Sequence, residues 1–351
     1  MADKPSAPDI SVADVARQFK LDIYDKEVQS AATYSYLWIA DQVGHLGLAV
    51  VLQFLGHDIH QILSRWIDLS LISANLFGLL LVCIATAYWE YSSYNHMLKQ
   101  TTGRFPVNKR GLAANAITAA GYMWGGAVIG YGFHLETGPS IKVMLLVLFV
   151  GLFPAVFWIR NKMIWQKAAL PFLHRLANVR KTITSEAAAE VQTVVERSVP
   201  PDGEPRQVII FGSIGTGRTS LAAGIGTEFA FRKRKVRYLT FDKFFELSSS
   251  TENFPGPKNI DYWPWFDAQL LVIDDVSSAL LPMQNTHMPI DLFERALIKH
   301  IKSNWDGLTN RDSVWVVGDV EDQAHWIDLI ERVCESSQPA VIVELSADNK
   351  A

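Results

Sequence analysis

Val208-Ile209-Ile210-Phe211-Gly212-Ser213-Ile214-Gly215-Thr216-Gly217-Arg218-Thr219-Ser220 is the stretch on which the reading of this chain turns. Its first four residues are a short apolar run of β-branched and aromatic side chains, as a buried parallel strand requires. Gly212 to Thr219 follows the pattern G-x-x-x-x-G-K-[ST] except at Arg218, which stands where the pattern has lysine. Beyond Thr219 the larger apolar residues recur at helical spacing. Strand, glycine-rich turn and helix bring backbone N–H groups and the positive end of a helix dipole to one point, a geometry that cradles phosphate. Residues 212–220 are therefore candidate contacts for a nucleoside triphosphate such as ATP, with the Thr219 hydroxyl on Mg²⁺. Arginine keeps the positive charge and adds a planar fork. It can hold a ground-state phosphate without following the transition state, so binding is expected and hydrolysis stays open. The plain alternative is a glycine-rich turn in an unrelated α/β domain.

A second motif lies downstream. Leu270-Leu271-Val272-Ile273 is followed by Asp274-Asp275, a buried strand ending in two carboxylates. In that pattern Asp274 would hold Mg²⁺ and Asp275 would polarise the attacking water. The alternative is a strand that ends in a solvated acidic turn. Further strands are expected at 236–241, 314–317 and 341–345, and helices at 219–231, 289–303 and 322–335. Such alternation means a parallel sheet covered on both faces, with its ligand beyond the carboxyl ends of the strands.

The first half of the chain is different in kind. Of 351 residues, 49% are hydrophobic and only 19% charged. Residues 1–181 carry 16 Lys/Arg against 11 Asp/Glu, whereas residues 182–351 carry 16 against 25. The basic half is also the apolar half. Four segments, 36–56, 69–89, 111–133 and 141–159, approach the ~20 residues a membrane-spanning helix needs. The first is the weakest, since it contains Asp41, Gln42 and His45, which suit either a proton or ion path or the membrane interface. Cations cluster between the second and third segments and after the fourth. The positive-inside rule then puts both ends of the chain in the cytoplasm of a bacterial-type inner-membrane protein. Gly121/Gly125 and Gly126/Gly130 allow close helix approach, within the chain or between copies. Cys83 and Cys334 are the two cysteines and form no metal or disulfide pattern. No cleaved signal peptide is expected in the polar first 35 residues.

Residues 182–197 look helical, with Ser185 as a cap, and Ser198-Val-Pro-Pro-Asp-Gly-Glu-Pro205 reads as a break. The expected organisation is a polar segment at 1–35, a membrane region at 36–160, a basic segment and linker at 161–206, and a nucleotide-binding domain at 207–351. Arg232-Lys-Arg-Lys235 suits a solvated turn or an anionic surface, and Tyr262-Trp-Pro-Trp-Phe266 suits packing within its own domain or docking on a partner.

From Val208 to Leu345 the chain resembles the AAA+ ATPases of the helicase-loader and transposition-helper branch. The resemblance rests on the loop leading into Thr219-Ser220-Leu221-Ala222, on Lys235–Thr240, on Leu270–Asp275, on Leu292-Phe293-Glu294, on Ser313–Asp319 and on Asp328–Arg332. It covers about 140 residues. It implies a five-stranded parallel AAA+ core that assembles with copies of itself, and the chain's length leaves no room for a separate helical lid. It also implies that Asp274 and Asp275 are the paired aspartates, that Asp319 takes the place of a polar sensor, that Arg332 matches a second sensor, and that Arg311 is a candidate arginine finger acting in trans. Each arginine suits an ordinary ion pair equally well. Contact with nucleic acid follows by analogy alone. The expected protein is a membrane-anchored ATPase coupled to a membrane or cytoplasmic partner. The rival readings are a nucleotide switch with little hydrolysis and a transporter or channel gated by the domain.

Overall fold

The computed structural model describes residues 10–24, 33–99, 104–134, 140–179, 183–197, 204–248, 262–276, 290–296, 306–309, 311–335 and 337–346. Two compact units divide the chain. One comprises Val12–Thr101 with Val107–Arg160; the other comprises Met1–Ser11, Thr102–Pro106 and Asn161–Ala351.

The first unit is helical. Its elements are α1 (Val12–Tyr24), α2 (Tyr34–Leu63), α3 (Ala74–Lys99), α4 (Lys109–Phe133) and most of α5 (Ser140–Gln166). Helices α2 to α5 are each long and apolar enough to cross a membrane. The expected segment at 69–89 is displaced, because α3 begins at Ala74 and continues to Lys99. Side-chain oxygens explain the shift. Asp68 Oδ1 accepts from the Ser70 N–H at 3.1 Å, and Ser73 Oγ accepts from the Leu76 N–H at 3.3 Å. Both bonds compete with helix and delay its start to the first turn that Ser73 can cap. Helix α1 falls in the segment expected to be merely polar. It is tied to the start of α2 by Asp22, whose carboxylate accepts from Gln18, Thr33 and Ser35 at 2.9, 2.6 and 2.6 Å.

Small residues set the helix spacing. A Cβ on Gly126 would lie 2.1 Å from the Leu46 carbonyl oxygen, and one on Gly78 would lie 2.6 Å from that of Gln53. Gly126 and Gly130 thus face α2 within the same chain, while a Cβ on Gly121 would meet nothing within 4 Å. Gly126→Leu is accordingly expected to destabilise the unit by about 2–3 kcal/mol through overpacking. Gly121→Leu should be tolerated. Thermal unfolding of the two variants in detergent separates the cases.

The second unit is built on a five-stranded parallel sheet, ordered β2-β3-β4-β1-β5. The elements in chain order are α6 (Ser185–Glu196), β1 (Gln207–Gly212), α7 (Arg218–Phe231), β2 (Val236–Thr240), α8 (Phe241–Ser248), β3 (Leu270–Asp274), α9 (Ile290–Ala296), α10 (Asp306–Thr309), β4 (Asp312–Gly318), α11 (Gln323–Cys334) and β5 (Val341–Leu345). All five expected strands are present. Phe241 is not the end of the second strand but the first residue of α8, where it packs 4.6 Å from the Phe293 ring. The expected helix at 289–303 is described only as far as Ala296, and most of the expected break at 198–205 lies outside the described residues. Trp315 lies at the centre of the core, its indole N–H donating to Ser313 Oγ at 2.8 Å.

The unit begins earlier in the chain than the expected boundary. Residues 161–179 lie along β2, the outer strand. The Tyr238 N–H donates to the Ala168 carbonyl at 2.8 Å and the Trp263 N–H to that of Lys167 at 2.9 Å. An outer strand offers unpaired N–H groups, and this segment satisfies that of Tyr238. Gly224 and Gly226 of α7 receive Leu176 and Leu170, whose side chains would stand 3.0 and 2.7 Å from an added Cβ. Arg175 clamps Glu228 at 2.6 and 3.3 Å. The expected linker is also part of the unit: α6 buries Val191, Val194 and Val195, its cap is Thr184 rather than Ser185, and Arg197 pairs with Asp312.

Candidate functional site

The carboxyl edge of the sheet gathers most of the sequence-predicted residues. Strand β1 ends at Gly212, and residues 213–217 turn back into α7. Three glycines make the turn, with φ of +145° at Gly212, +88° at Gly215 and +92° at Gly217. A side chain disfavours all three conformations. At Gly212 space forbids one as well, since a Cβ would lie 2.7 Å from the Leu345 carbonyl oxygen. At Gly215 and Gly217 it would meet nothing within 4 Å, so space there is open. Thr216 closes the turn by donating its hydroxyl to the Ser213 carbonyl at 2.9 Å. Ile214 stands out at the tip, 93% exposed. Gly217 caps α7, and the first N–H groups of a helix have no partner within it. Arg218, Thr219 and Ser220 thus present donors and half-buried side chains at one place.

Strand β4 separates β1 from β3, so Asp274 stands two strand spacings from Gly212, about 10 Å at the usual separation. Asp274 is buried at the end of β3. Its Oδ1 accepts from the Asp275 N–H at 2.8 Å, and its Oδ2 accepts from the Tyr238 hydroxyl at 2.6 Å. These two donors fix the carboxylate plane and leave lone pairs on both oxygens. Asp275 is exposed, with φ of +57°. Partial desolvation raises its pKa above the usual carboxylate range, the charges of Asp274 and Asp242 add to that rise, and the Arg218 guanidinium opposes it. The Arg218 charge thus acts on Asp275 at this edge of the sheet. Asp319 follows Gly318 at the same edge and is exposed.

Tyr238 and Asp242 were not among the residues expected from the sequence. Tyr238 pairs with Val272 in register, so it shares a face with Asp274 two residues on and its ring spans the diagonal. A phenol within the short strand Val236–Thr240, two positions from its end, was the available signal. Its pKa is driven upward by burial first and by Asp274 next, which keeps the hydroxyl a donor.

Arg311 and Arg332 lie elsewhere. Arg311 precedes β4 at the amino edge of the sheet, where its guanidinium donates to the carbonyls of Trp265 and Phe266 at 2.6 and 2.8 Å. Burial lowers its pKa to about 10. Arg332 is in the last turn of α11 and pairs with Glu294 at 2.8 Å. Neither reaches the glycine loop of its own chain. The aromatic run is likewise absorbed, Trp265 packing 5.4 Å from Phe244. In the basic run, Arg232 pairs with Glu228 and Lys235 with Asp267.

No protein-family model matches the chain, and no curated protein matches it. Backbone donors, one arginine and a helix N-terminus at the loop suit a polyanion. A buried carboxylate held by two donors, with a hydroxyl-bearing Thr219 across the edge, suits a hard divalent cation bound by oxygen and water. If Asp275 acts as a base, the acid limb of the activity profile should lie above the ordinary aspartate range. Asp242→Asn removes a like charge, lowers the Asp275 pKa and should move that limb to lower pH, which a pH–rate profile reads directly.

Proposed function

We propose that the protein is a membrane-embedded, multi-pass ATP-binding protein. In this reading its α/β unit is a P-loop domain of AAA+ type that takes ATP–Mg²⁺ at Gly212–Ser220, with Asp274 and Thr219 toward the metal and Asp275 as the base. The observation that carries it is the convergence, at one edge of a five-stranded parallel sheet, of a glycine loop opening a helix and of a buried carboxylate two strands away. When bound, Mg²⁺ would neutralise charge on the β- and γ-phosphates. The chain's own residues would do the rest: the loop N–H groups orient the phosphates, Arg218 holds their charge, and Tyr238 fixes Asp274. Asp319 stands at the same edge as a polar neighbour.

The membrane half of the reading is supported by four apolar helices of sufficient length and by the cations that follow the second and fourth of them. By the positive-inside rule both ends and the α/β unit face the cytoplasm of a bacterial inner membrane. Nucleotide state has a short route out of the site. Tyr238, which holds Asp274, also donates its N–H to Ala168 in the segment that follows α5. We assign coupling to residues 161–179. Self-assembly through the AAA+ unit, a membrane or cytoplasmic protein partner and contact with lipid complete the proposal.

The test is ATP binding and phosphate release by full-length protein in detergent with Mg²⁺. Binding that disappears in Gly217→Val supports the reading, because the valine both strains φ at +92° and fills the open side of the loop. Equal binding by the variant would overturn it. A second reading, a switch with little hydrolysis, is favoured by one observation, the arginine at 218 where the loop pattern has lysine. Binding without turnover would select it.

A further inference from the structure

Helix α2 of the first unit buries polar side chains and exposes apolar ones. On α2 the buried positions include Ser35, Gln42, Ala49, Gln53, Gly56 and His60, one stripe along the helix. Val43, Leu48, Val51 and Leu55 are exposed. Three polar atoms of that stripe, Gln42 Oε1, Gln53 Oε1 and His60 Nε2, are buried with no hydrogen-bond partner among the described residues. Gln53 is 0% exposed and His60 9%. Each such atom costs about 1–3 kcal/mol unless something polar meets it, and lipid supplies nothing that can.

The polar groups form two clusters. Toward the start of α2, Gln42 donates to Asp41 at 2.8 Å, His45 lies 3.8 Å from the same carboxylate, and Glu90 of α3 is within electrostatic reach of both Asp41 and His45. Toward its end, His57 Nδ1 lies 2.6 Å from Asn75 Oδ1, and its Nε2 lies 2.8 Å from the Gln61 amide nitrogen. An amide nitrogen only donates, so the neutral ring carries its proton on Nδ1. The His57 ring also stacks on His134, 4.4 Å apart and 8° from parallel, with Asp58 in electrostatic reach of His134. Between the clusters sits an apolar plug of Ala49, Val82, Met123 and Ala127. The stripe from Gln42 to His60 covers about 27 Å of helix, close to the thickness of a bilayer's hydrocarbon core.

We propose that the interior of this unit is a proton path, with two titratable clusters separated by a plug that closes it. Histidine and carboxyl groups accept and release protons, and the amides between them relay hydrogen bonds. Among the described residues no three His, Cys, Asp or Glu side chains stand close enough to hold a metal ion. A hydrophobic constriction gates by excluding water, which is what Met123 and Val82 do here. The inference rests on the reading that these helices span a bilayer and is independent of nucleotide binding.

The experiment uses full-length protein in vesicles of phosphatidylethanolamine and phosphatidylglycerol that enclose pyranine, with a potassium diffusion potential set by valinomycin. Carbonate extraction first establishes that the protein is integral; a protein that washes off overturns the spanning reading and this inference together. Met123→Ala opens the plug and is expected to speed proton entry about tenfold over empty vesicles. Val82→Ala should do the same from α3, so failure of one variant to fold leaves the other. Adding Gln53→Leu with His60→Leu should return the rate to that of empty vesicles. Integral plug variants that are no faster than empty vesicles, or a flux that survives the Gln53 and His60 substitutions, would overturn the proposal.

Discussion

Asp274→Asn is expected to weaken magnesium-dependent ATP binding by about 100-fold or more, as loss of a group that holds the metal should. Asp274 is buried at the end of β3, and both its oxygens already hold a protein donor. Asparagine keeps the volume and can keep one of those bonds, so the sheet should persist and circular dichroism should be unchanged. What is lost is the negative charge that an oxygen-seeking cation needs. Tyr238→Phe provides the graded companion. It leaves the carboxylate in place and removes the 2.6 Å hydroxyl donor that sets its orientation. Removal of such a supporting partner typically costs about 10–100-fold. Titration of ATP with and without Mg²⁺ should therefore rank wild type above Tyr238→Phe, and Tyr238→Phe above Asp274→Asn. With Mg²⁺ withheld, the three should converge, since neither variant touches the glycine loop.

Arg218→Ala and Arg218→Lys should move in opposite directions. Arg218 is the first residue of α7, directly after Gly217 at φ +92°, and its charge holds down the Asp275 pKa. Alanine removes a charged donor to phosphate, a contact of about 1.5–3 kcal/mol, so ATP binding should fall about 10–100-fold. Lysine keeps the charge and replaces a planar fork by a compact, mobile ammonium. Affinity should stay within a few-fold while phosphate release rises about tenfold, which corresponds to a barrier lower by ~1.4 kcal/mol. Unchanged turnover in Arg218→Lys would mean that arginine serves the transition state as well as lysine. The guanidinium also lowers the Asp275 pKa, and a shorter ammonium lies farther from it. The acid limb of the lysine variant should therefore move to higher pH.

Much of the α/β unit was legible from residue order. Runs such as 208–211 and 270–273 are apolar throughout because a parallel strand is buried on both faces. The glycine loop was legible because only glycine supports the φ values found at 212, 215 and 217 without strain. The four long apolar helices were legible for a similar reason, since length and composition alone identify them.

Contacts between residues far apart in the chain were not. Asp274 and Asp275 are adjacent and could be paired by eye, but Tyr238 reaches Asp274 across 36 positions, and only strand register puts both on one face. Arg311 looked like a finger because it is a cation just before a strand. The sheet puts it at the amino edge, held by two carbonyls, since a parallel strand separates its two ends by its whole length. Residues 161–179 read as a basic juxtamembrane stretch. Their place against β2 depends on that strand being outermost, which strand order settles and composition does not. Ser73 delays α3 by a local bond too weak to outrank hydropathy in a linear reading. The inward polar stripe of α2 becomes visible only when α3 and α4 cover it.

Local pattern therefore carried element type and the identity of the loop, because backbone conformation and burial on two faces are written in neighbouring residues. Register, strand order and helix crossing carried the rest, because they are properties of pairs that the chain brings together only on folding.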